Sequence, residues 1–417
     1  MRVALFTESF DPVINGVSTS VKTLAAELVR AGHDPVIIAP RYPDYEDVDS
    51  ASDGIEVRRL PSWRTLLNPE NPFAYPPTGL YTPRAYRDGG FAIVHTQQPF
   101  GMGLHGRVCA RRSGAALVST FHTLYQQYVH YAPFAPPQLV RAVVSRHLGR
   151  YYASCDAVVV PSRAAGRVLE GLGVPSGLLH VVPTGVPATP SVMPAAVEQM
   201  RKTFSLPPHA PVLLYVGRLA REKSMNLLID AFARVSAAHP KDDPATHPIL
   251  LIVGSGPDLG RCRDRVRRVG MEAYVRFAGF LKRSQLAPVY AAATLFTFPS
   301  ATETQGVVLS EAQGHGLPCV VVDGGGSPEF VRAGVDALVV PPGDTEAFAA
   351  AVRRLLADHD LRRSFSAAAL ASPLRPTPEA MAAAMIEVYR SVLAERAAGA
   401  SGRSAPAVPE REQTREW

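Results

Sequence analysis

Short, nearly unbroken runs of Val, Ile, Leu and Ala recur along the chain, and between them apolar residues fall at helical spacing. In the first half the runs predict strands at 3–6, 36–39, 55–60, 92–95, 117–121, 157–160 and 180–182. Helical periodicity is clearest at 18–31, 101–112, 138–153 and 163–172. Strands that are apolar throughout, and separated by helices, imply parallel sheets covered on both faces. Residues 61–83 are rich in Pro and Asn and are expected to form a long loop. The pattern pauses at Pro183-Thr184-Gly185-Val186-Pro187, with Pro190, Pro194, Pro207 and Pro208 beyond. It restarts with strands expected at 212–217, 249–253, 275–279, 295–298, 319–322 and 337–340, and helices at 224–236, 259–270, 284–293, 306–316 and 345–357. The expected plan is therefore α/β with two βαβ domains: 1–186, a linker at 187–210, 211–375, an amphipathic helix at 376–398 and a disordered tail at 399–417.

Composition narrows the class. A chain of 417 residues is long for one hydrophobic core, and 47% hydrophobic against 19% charged residues describes a globular protein. No apolar run reaches the roughly 18 residues that span a bilayer. The chain starts directly on a strand, without a basic segment or cleavage site, so a cytoplasmic protein is expected. Cys109, Cys155, Cys262 and Cys319 are far apart and form no CxxC pair, which fits small buried hydrophobes in a reducing compartment. Charge is segregated. Residues 1–57 carry four Lys/Arg against ten Asp/Glu, whereas residues 58–167 carry thirteen Arg against three acids. A basic stretch of this kind suits phosphates or an anionic membrane surface.

In open α/β sheets ligands bind at the carboxyl ends of strands, where loops lead into helix N-termini. The first strand ends at Glu8, and Gly16 follows just before a helix, where a backbone without Cβ lets an anion approach. The segment is not GxGxxG. The restart strand leads to Gly217-Arg218-Leu219 and Arg221-Glu222-Lys223. Cations at a helix start oppose its dipole, an arrangement that makes sense with a diphosphate between them. The turn at Gly254 has small residues that could admit a flat base or ribose. Glu303-Thr304-Gln305-Gly306-Val307-Val308-Leu309-Ser310-Glu311 follows another strand. Its two carboxylates can span about 12 Å along a helix axis, too far for a glycosidase pair and suited to binding two sets of hydroxyls. The amides of Gly306, Val307 and Val308 would face phosphates between them. His122 ends a strand of the first half and is a candidate to hydrogen-bond a sugar or acceptor. No metal-ligand spacing and no Walker loop is visible, and neither metal nor cofactor is expected.

These junctions together resemble glycosyltransferase family 4, the retaining GT-B enzymes, over roughly residues 2–395. The resemblance rests on Glu8-Ser9-Phe10 with Asn15-Gly16-Val17, on Pro183-Thr184-Gly185, on Gly217-Arg218-Leu219 with Glu222-Lys223, and on Glu303-x7-Glu311 with Gly314-x-Gly316-Leu317-Pro318. It implies two Rossmann-like domains facing across a cleft, the first taking an acceptor and the second a nucleotide-sugar. It also implies that Gly16 approaches the pyrophosphate, that Arg218 and Lys223 bind it, and that Glu303 holds sugar hydroxyls. Glu311 would hold the ribose, His122 would lie near the sugar, and Phe280 and Leu281 would lie against the base.

Within the family the first half is most similar to diacylglycerol glycosyltransferases, through residues 121–131. Tyr125, Tyr128 and Tyr131 there, and the helix with Arg141, Arg146 and Arg150 beside Leu139, Val143 and Leu148, are candidates for an acceptor or anionic membrane surface. Relatives often carry His where this chain has Gln97, so acceptor or sugar choice is expected to differ. The resemblance leads to transfer of a hexose, from UDP-glucose or UDP-galactose foremost, to a lipid such as diacylglycerol, by a cytoplasmic protein peripheral on the inner membrane face. GDP-mannose as donor, a soluble glycan as acceptor, and a nucleotide-sugar epimerase of similar fold stay open, and no nucleic-acid partner is expected.

Overall fold

The computed structural model describes residues 1–13, 15–42, 45, 54–65, 68–74, 89–125, 136–239 and 246–401. In the first half, β1 (Arg2–Phe6), β2 (Asp34–Pro40), β3 (Glu56–Leu60), β6 (Ile93–Thr96), β7 (Ala116–Thr120), β8 (Ala157–Val160) and β9 (Leu179–Val181) form one sheet in the order β3-β2-β1-β6-β7-β8-β9. Every pairing in it is parallel. In the second half, β10 (Val212–Val216), β11 (Ile249–Val253), β12 (Val275–Gly279), β13 (Leu295–Phe298), β14 (Cys319–Val322) and β15 (Ala337–Val340) form a second parallel sheet ordered β12-β11-β10-β13-β14-β15.

Each sheet is covered on both faces. Phe6, Val94, Phe121 and Tyr152 pack on one side of the first, and Leu5, Leu28, Ile93 and Val159 on the other. The second sheet separates Leu213, Phe232, Leu250 and Phe348 from Leu214, Leu251, Phe296 and Leu309. Burial on both faces is why these strands read as continuous apolar runs. All four cysteines are free and buried within this packing.

The helices among the described residues are α1 (Gly16–Arg30), α2 (Gly101–Ser113), α3 (Pro137–Tyr152), α4 (Arg163–Glu170), α5 (Pro194–Thr203), α6 (Met225–Ala237), α7 (Leu259–Arg268), α8 (Arg283–Ala292), α9 (Val307–Gly314), α10 (Thr345–Ala357), α11 (His359–Leu370) and α12 (Pro378–Ser401). The last returns to the first sheet and buries Met381, Met385, Ile386 and Tyr389 there. The Tyr389 hydroxyl lies 2.7 Å from Nδ1 of His95, whose other nitrogen is 2.7 Å from the Thr120 hydroxyl. Burial holds the His95 imidazole neutral, its pKa lowered to about 3.

Four sequence expectations change. Residues 61–83 are not one long loop: β4 (Ser62–Thr65) and β5 (Asn68–Ala74) pair antiparallel there. The stretch expected as linker contains α5, which packs on α8. Its register of apolar residues is masked by prolines, one of which opens the helix at a position where no amide is needed. The helix over 359–370 was not expected; Asp358 caps it by accepting from the Leu361 amide at 2.9 Å. The final helix extends through Ser401, and residues 402–417 of the expected tail lie outside the described residues.

Candidate active site

Each sheet reverses its direction of winding once, between β1 and β6 in the first and between β10 and β13 in the second. At such a reversal the flanking loops diverge and leave a crevice at the strand ends. Several of the candidate residues collect at these two places.

In the second sheet, the loops after β10 and β13 are joined by an ion pair: Lys223 Nζ lies 2.5 Å from Glu303 Oε1, with both side chains largely shielded from solvent. Lys223 sits in a 3-10 turn (Arg221–Lys223) that Ser224 closes in a left-handed conformation before α6 begins. Arg218 is exposed at the end of β10, and its carbonyl accepts from the Tyr215 hydroxyl at 3.1 Å. Gly254 and Gly256 serve the same corner. A Cβ on Gly254 would lie 1.9 Å from the Gly217 carbonyl oxygen, and one on Gly256 2.2 Å from that of Leu219. The room expected at Gly254 is thus filled by backbone.

Glu303 is held from behind by Gly324, Gly325 and Gly326, a run after β14. A Cβ at 324 would strike Ala301, one at 325 the Glu303 carbonyl oxygen at 2.3 Å, and one at 326 that of Thr304 at 2.1 Å. Three successive glycines after a strand were the available signal. Glu303 lies in a loop, since α9 starts only at Val307 behind a left-handed Gly306. The expected 12 Å helical separation of Glu303 and Glu311 therefore does not apply. No side chain caps α9, so the amides after Gly306 remain available to an anion.

Glu311 points instead to a cavity of about 330 Å³ between Val186–Pro190 and α8. Tyr290 donates to Glu311 Oε2 at 2.9 Å, and Arg283 lies 3.5 Å from Oε1. Burial raises the Glu311 pKa, partly offset by Arg283 and Tyr290. Phe280 is 56% exposed just past β12, while Leu281 packs into the core beneath.

In the first sheet, Gly16 opens α1 and is exposed, with nothing within 4 Å of where its Cβ would be. The cap of this helix is Asn15: its side chain accepts from the Ser18 amide and the Ser18 hydroxyl accepts from the Asn15 amide. His122 follows β7. Its Nε2 donates to Gln97 Oε1 at 2.8 Å, leaving Nδ1 as an acceptor. Burial lowers its pKa to about 4, so the ring is neutral at pH 7. Glu8 follows β1. Its amide donates to Gln98 Oε1 at 2.9 Å, and its Oε1 accepts from the Met102 amide at 3.1 Å. Desolvation raises its pKa to about 7. Tyr125 rests edge-on against Phe100. Tyr128 and Tyr131 lie outside the described residues. Arg141, Arg146 and Arg150 are exposed on α3, as are Leu139 and Val143, at 58% and 59%.

The two halves are bonded to each other beside these residues. The Thr304 hydroxyl donates to the His122 carbonyl at 2.9 Å. Gln305 donates to the Thr184 carbonyl and accepts from its amide, at 2.9 and 2.8 Å. Glu329 accepts from the amides of Arg163 and Ala164, at 2.9 and 2.7 Å, and so caps α4 from across the cleft. Sequence reasoning missed Glu329, because its partners are backbone groups more than 160 residues away.

Comparison with known proteins accords with this arrangement. The family described as Glycosyltransferase Family 4 matches residues 14–189, and Glycosyl transferases group 1 matches residues 210–358. A GDP-mannose-dependent alpha-mannosyltransferase of Mycolicibacterium smegmatis is 31% identical over 95% of this chain and 99% of that protein. An alpha-monoglucosyldiacylglycerol synthase of Streptococcus pneumoniae is 29% identical over 77% of this chain and 70% of that protein. Among solved structures, Anabaena HepE in complex with UDP and glucose superposes with a TM-score of 0.74 at 18% identity, over 94% of this chain and 100% of that one.

Proposed function

We propose that this chain, which belongs to glycosyltransferase family 4 and is a hexosyltransferase of the GT-B fold, moves a hexose from a nucleoside-diphosphate sugar to a lipid acceptor such as diacylglycerol, with retention at the anomeric carbon. Residues 1–186 take the acceptor and 211–375 the donor. The observation that carries the reading is the Lys223–Glu303 pair, at the winding reversal of the second sheet and three residues ahead of Gly306, which opens the uncapped α9.

A departing diphosphate needs its charge neutralised. Arg218, Lys223 and the amides of Val307 and Val308 supply that, with Gly16 approaching from the first half. Glu303, freed from Lys223 as the diphosphate takes the cation, accepts from the sugar hydroxyls. Glu311 faces the cavity beside Arg283 and Tyr290 and takes the ribose, with the base against Phe280 and Leu281. Neutral His122 hydrogen-bonds the sugar or the leaving oxygen. The acceptor hydroxyl attacks the anomeric carbon on the face the diphosphate leaves, and its proton passes to the departing phosphate oxygen. The mechanism assigns the charge work to these side chains, without a metal. The apolar and arginine-bearing face of α3 rests on an anionic membrane surface.

UDP-glucose and UDP-galactose are the first donors to test. GDP-mannose is the second reading, favoured by the near full-length match to a GDP-mannose-dependent enzyme. Purified protein is incubated with each radiolabelled donor in EDTA, with and without vesicles of dioleoylglycerol in phosphatidylglycerol. Lipid-dependent label in the organic phase is expected. Label that stays in water with every donor overturns the lipid reading, and activity lost in EDTA overturns the metal-free one.

A further inference from the structure

We infer that Glu8 is a specificity residue for the acceptor: its free carboxylate oxygen receives the hydrogen bond of the attacking hydroxyl and orients it toward the donor. The inference rests on the lipid-acceptor reading above and goes beyond it by naming the group that reads the hydroxyl.

Four observations support it. First, Glu8 stands at the winding reversal of the first sheet, where β1 and β6 part, with its amide bonded to Gln98 from the β6 loop. His122, at the end of β7, is one strand further along the same edge and joins the row through Gln97. Second, one oxygen alone is occupied. Oε1 takes the Met102 amide at the start of α2, whose N-cap residue Phe100 makes no side-chain bond, while among the described residues no group bonds Oε2. A carboxylate held by one oxygen and partly exposed by the other is fixed in direction and still able to accept.

Third, the surroundings make room for it: a Cβ on Gly101 would lie 2.7 Å from Glu8 Oε1. Fourth, aromatic and apolar groups lie beside it. Phe100, adjacent to Gly101, stacks on His147 of α3 at 5.0 Å and meets Tyr125 edge-on at 5.0 Å, and α3 carries the exposed Leu139 and Val143 further out. An acyl chain lying along those groups would place its polar end at the strand ends. The desolvation that raises the Glu8 pKa strengthens any hydrogen bond made there.

A purely structural role, capping α2, is separated by Glu8→Gln, which keeps an oxygen for the Met102 amide and removes the charge. Wild type and variant are assayed with UDP-glucose and GDP-mannose on phosphatidylglycerol vesicles containing dioleoylglycerol, alongside thermal unfolding and titration with UDP and GDP. The expected result is a fall of about 10- to 100-fold in kcat/KM for the acceptor, as befits loss of one charge-assisted hydrogen bond. Nucleotide affinity should hold, and so should the unfolding midpoint at pH 5, where the wild-type carboxyl is protonated and Gln is its neutral counterpart. Gly101→Ala, which pushes the carboxylate aside, should weaken acceptor use in the same direction.

Acceptor kinetics within about twofold of wild type, or acceptor and nucleotide parameters falling together, overturn the assignment. Wild-type protein that labels no lipid overturns the lipid reading itself, and the inference with it. The two failures are therefore told apart by the wild-type arm.

Discussion

The two winding reversals have the same topology and opposite electrostatics. Around the second, charge is paired outright: Lys223 meets Glu303, and Arg218 is exposed at the end of β10. Around the first, desolvation raises the Glu8 pKa to about 7, so that it is only partly ionised at neutral pH, and lowers that of His122 to about 4, so that the ring is neutral. An ion pair can be exchanged for a charged ligand, because a diphosphate replaces the carboxylate on the cation at little electrostatic cost. A nearly neutral polar row cannot neutralise a diphosphate, but it can select a hydroxyl, since an unmatched buried hydrogen-bonding group is costly. The contrast supports the proposal that the second half handles the donor and the first half the acceptor.

The largest effect should come from removing the donor-side cation. Lys223→Ala is expected to lower turnover by roughly 10²- to 10³-fold, with lipid-dependent transfer as the readout. Turnover near wild type would remove the ionic half of the comparison. Next, reversing Arg141, Arg146 and Arg150 to Glu should abolish sedimentation with phosphatidylglycerol vesicles at about 1 kcal/mol per arginine and leave nucleotide binding intact. Binding that persists, or that ignores added salt, would detach α3 from the membrane surface.

Breaking the link between the halves should cost less. Glu329→Ala strips two amide bonds from the start of α4 and is expected to destabilise the chain by about 1–2 kcal/mol, read in urea unfolding, together with a lower kcat. An unchanged transition would mean that water replaces the carboxylate. The smallest effect is a matter of pH. Glu8 has its folded pKa raised from 4.5 to about 7, so the stability it contributes is complete below pH 4.5 and lost as pH rises through about 7. Wild type should lose a few degrees of unfolding temperature between pH 5 and pH 8 that Glu8→Gln does not lose. Identical pH profiles would place the carboxyl in water and erase the electrostatic contrast.

Legibility in the sequence followed locality. The strands of both sheets were visible because burial on two faces writes itself as an apolar run. The Glu303-x7-Glu311 segment and Arg218 with Lys223 were visible because each sits at a strand end within a few residues of a helix start. β4 and β5 were not, since short antiparallel strands with Pro69 and Pro72 have no clear alternation. Gly324–Gly326 could be seen but not interpreted, because the backbone they admit belongs to residues 301–304. Glu8 read as the end of a strand; its bond to Met102, 94 positions away, and the desolvation that shifts it exist only once β1 and α2 meet.

The chain by itself thus determined the two parallel sheets, most of their helices and the set of charged residues at the strand ends, because periodicity and strand-to-helix junctions are local properties. Tertiary structure alone decided which of those groups are paired, which are nearly neutral and which bridge the halves, as with Glu329 on α4 and Gln305 on Thr184. The reason is physical: desolvation and hydrogen-bond partnership depend on what the fold brings within a few ångströms, and sequence spacing does not encode that.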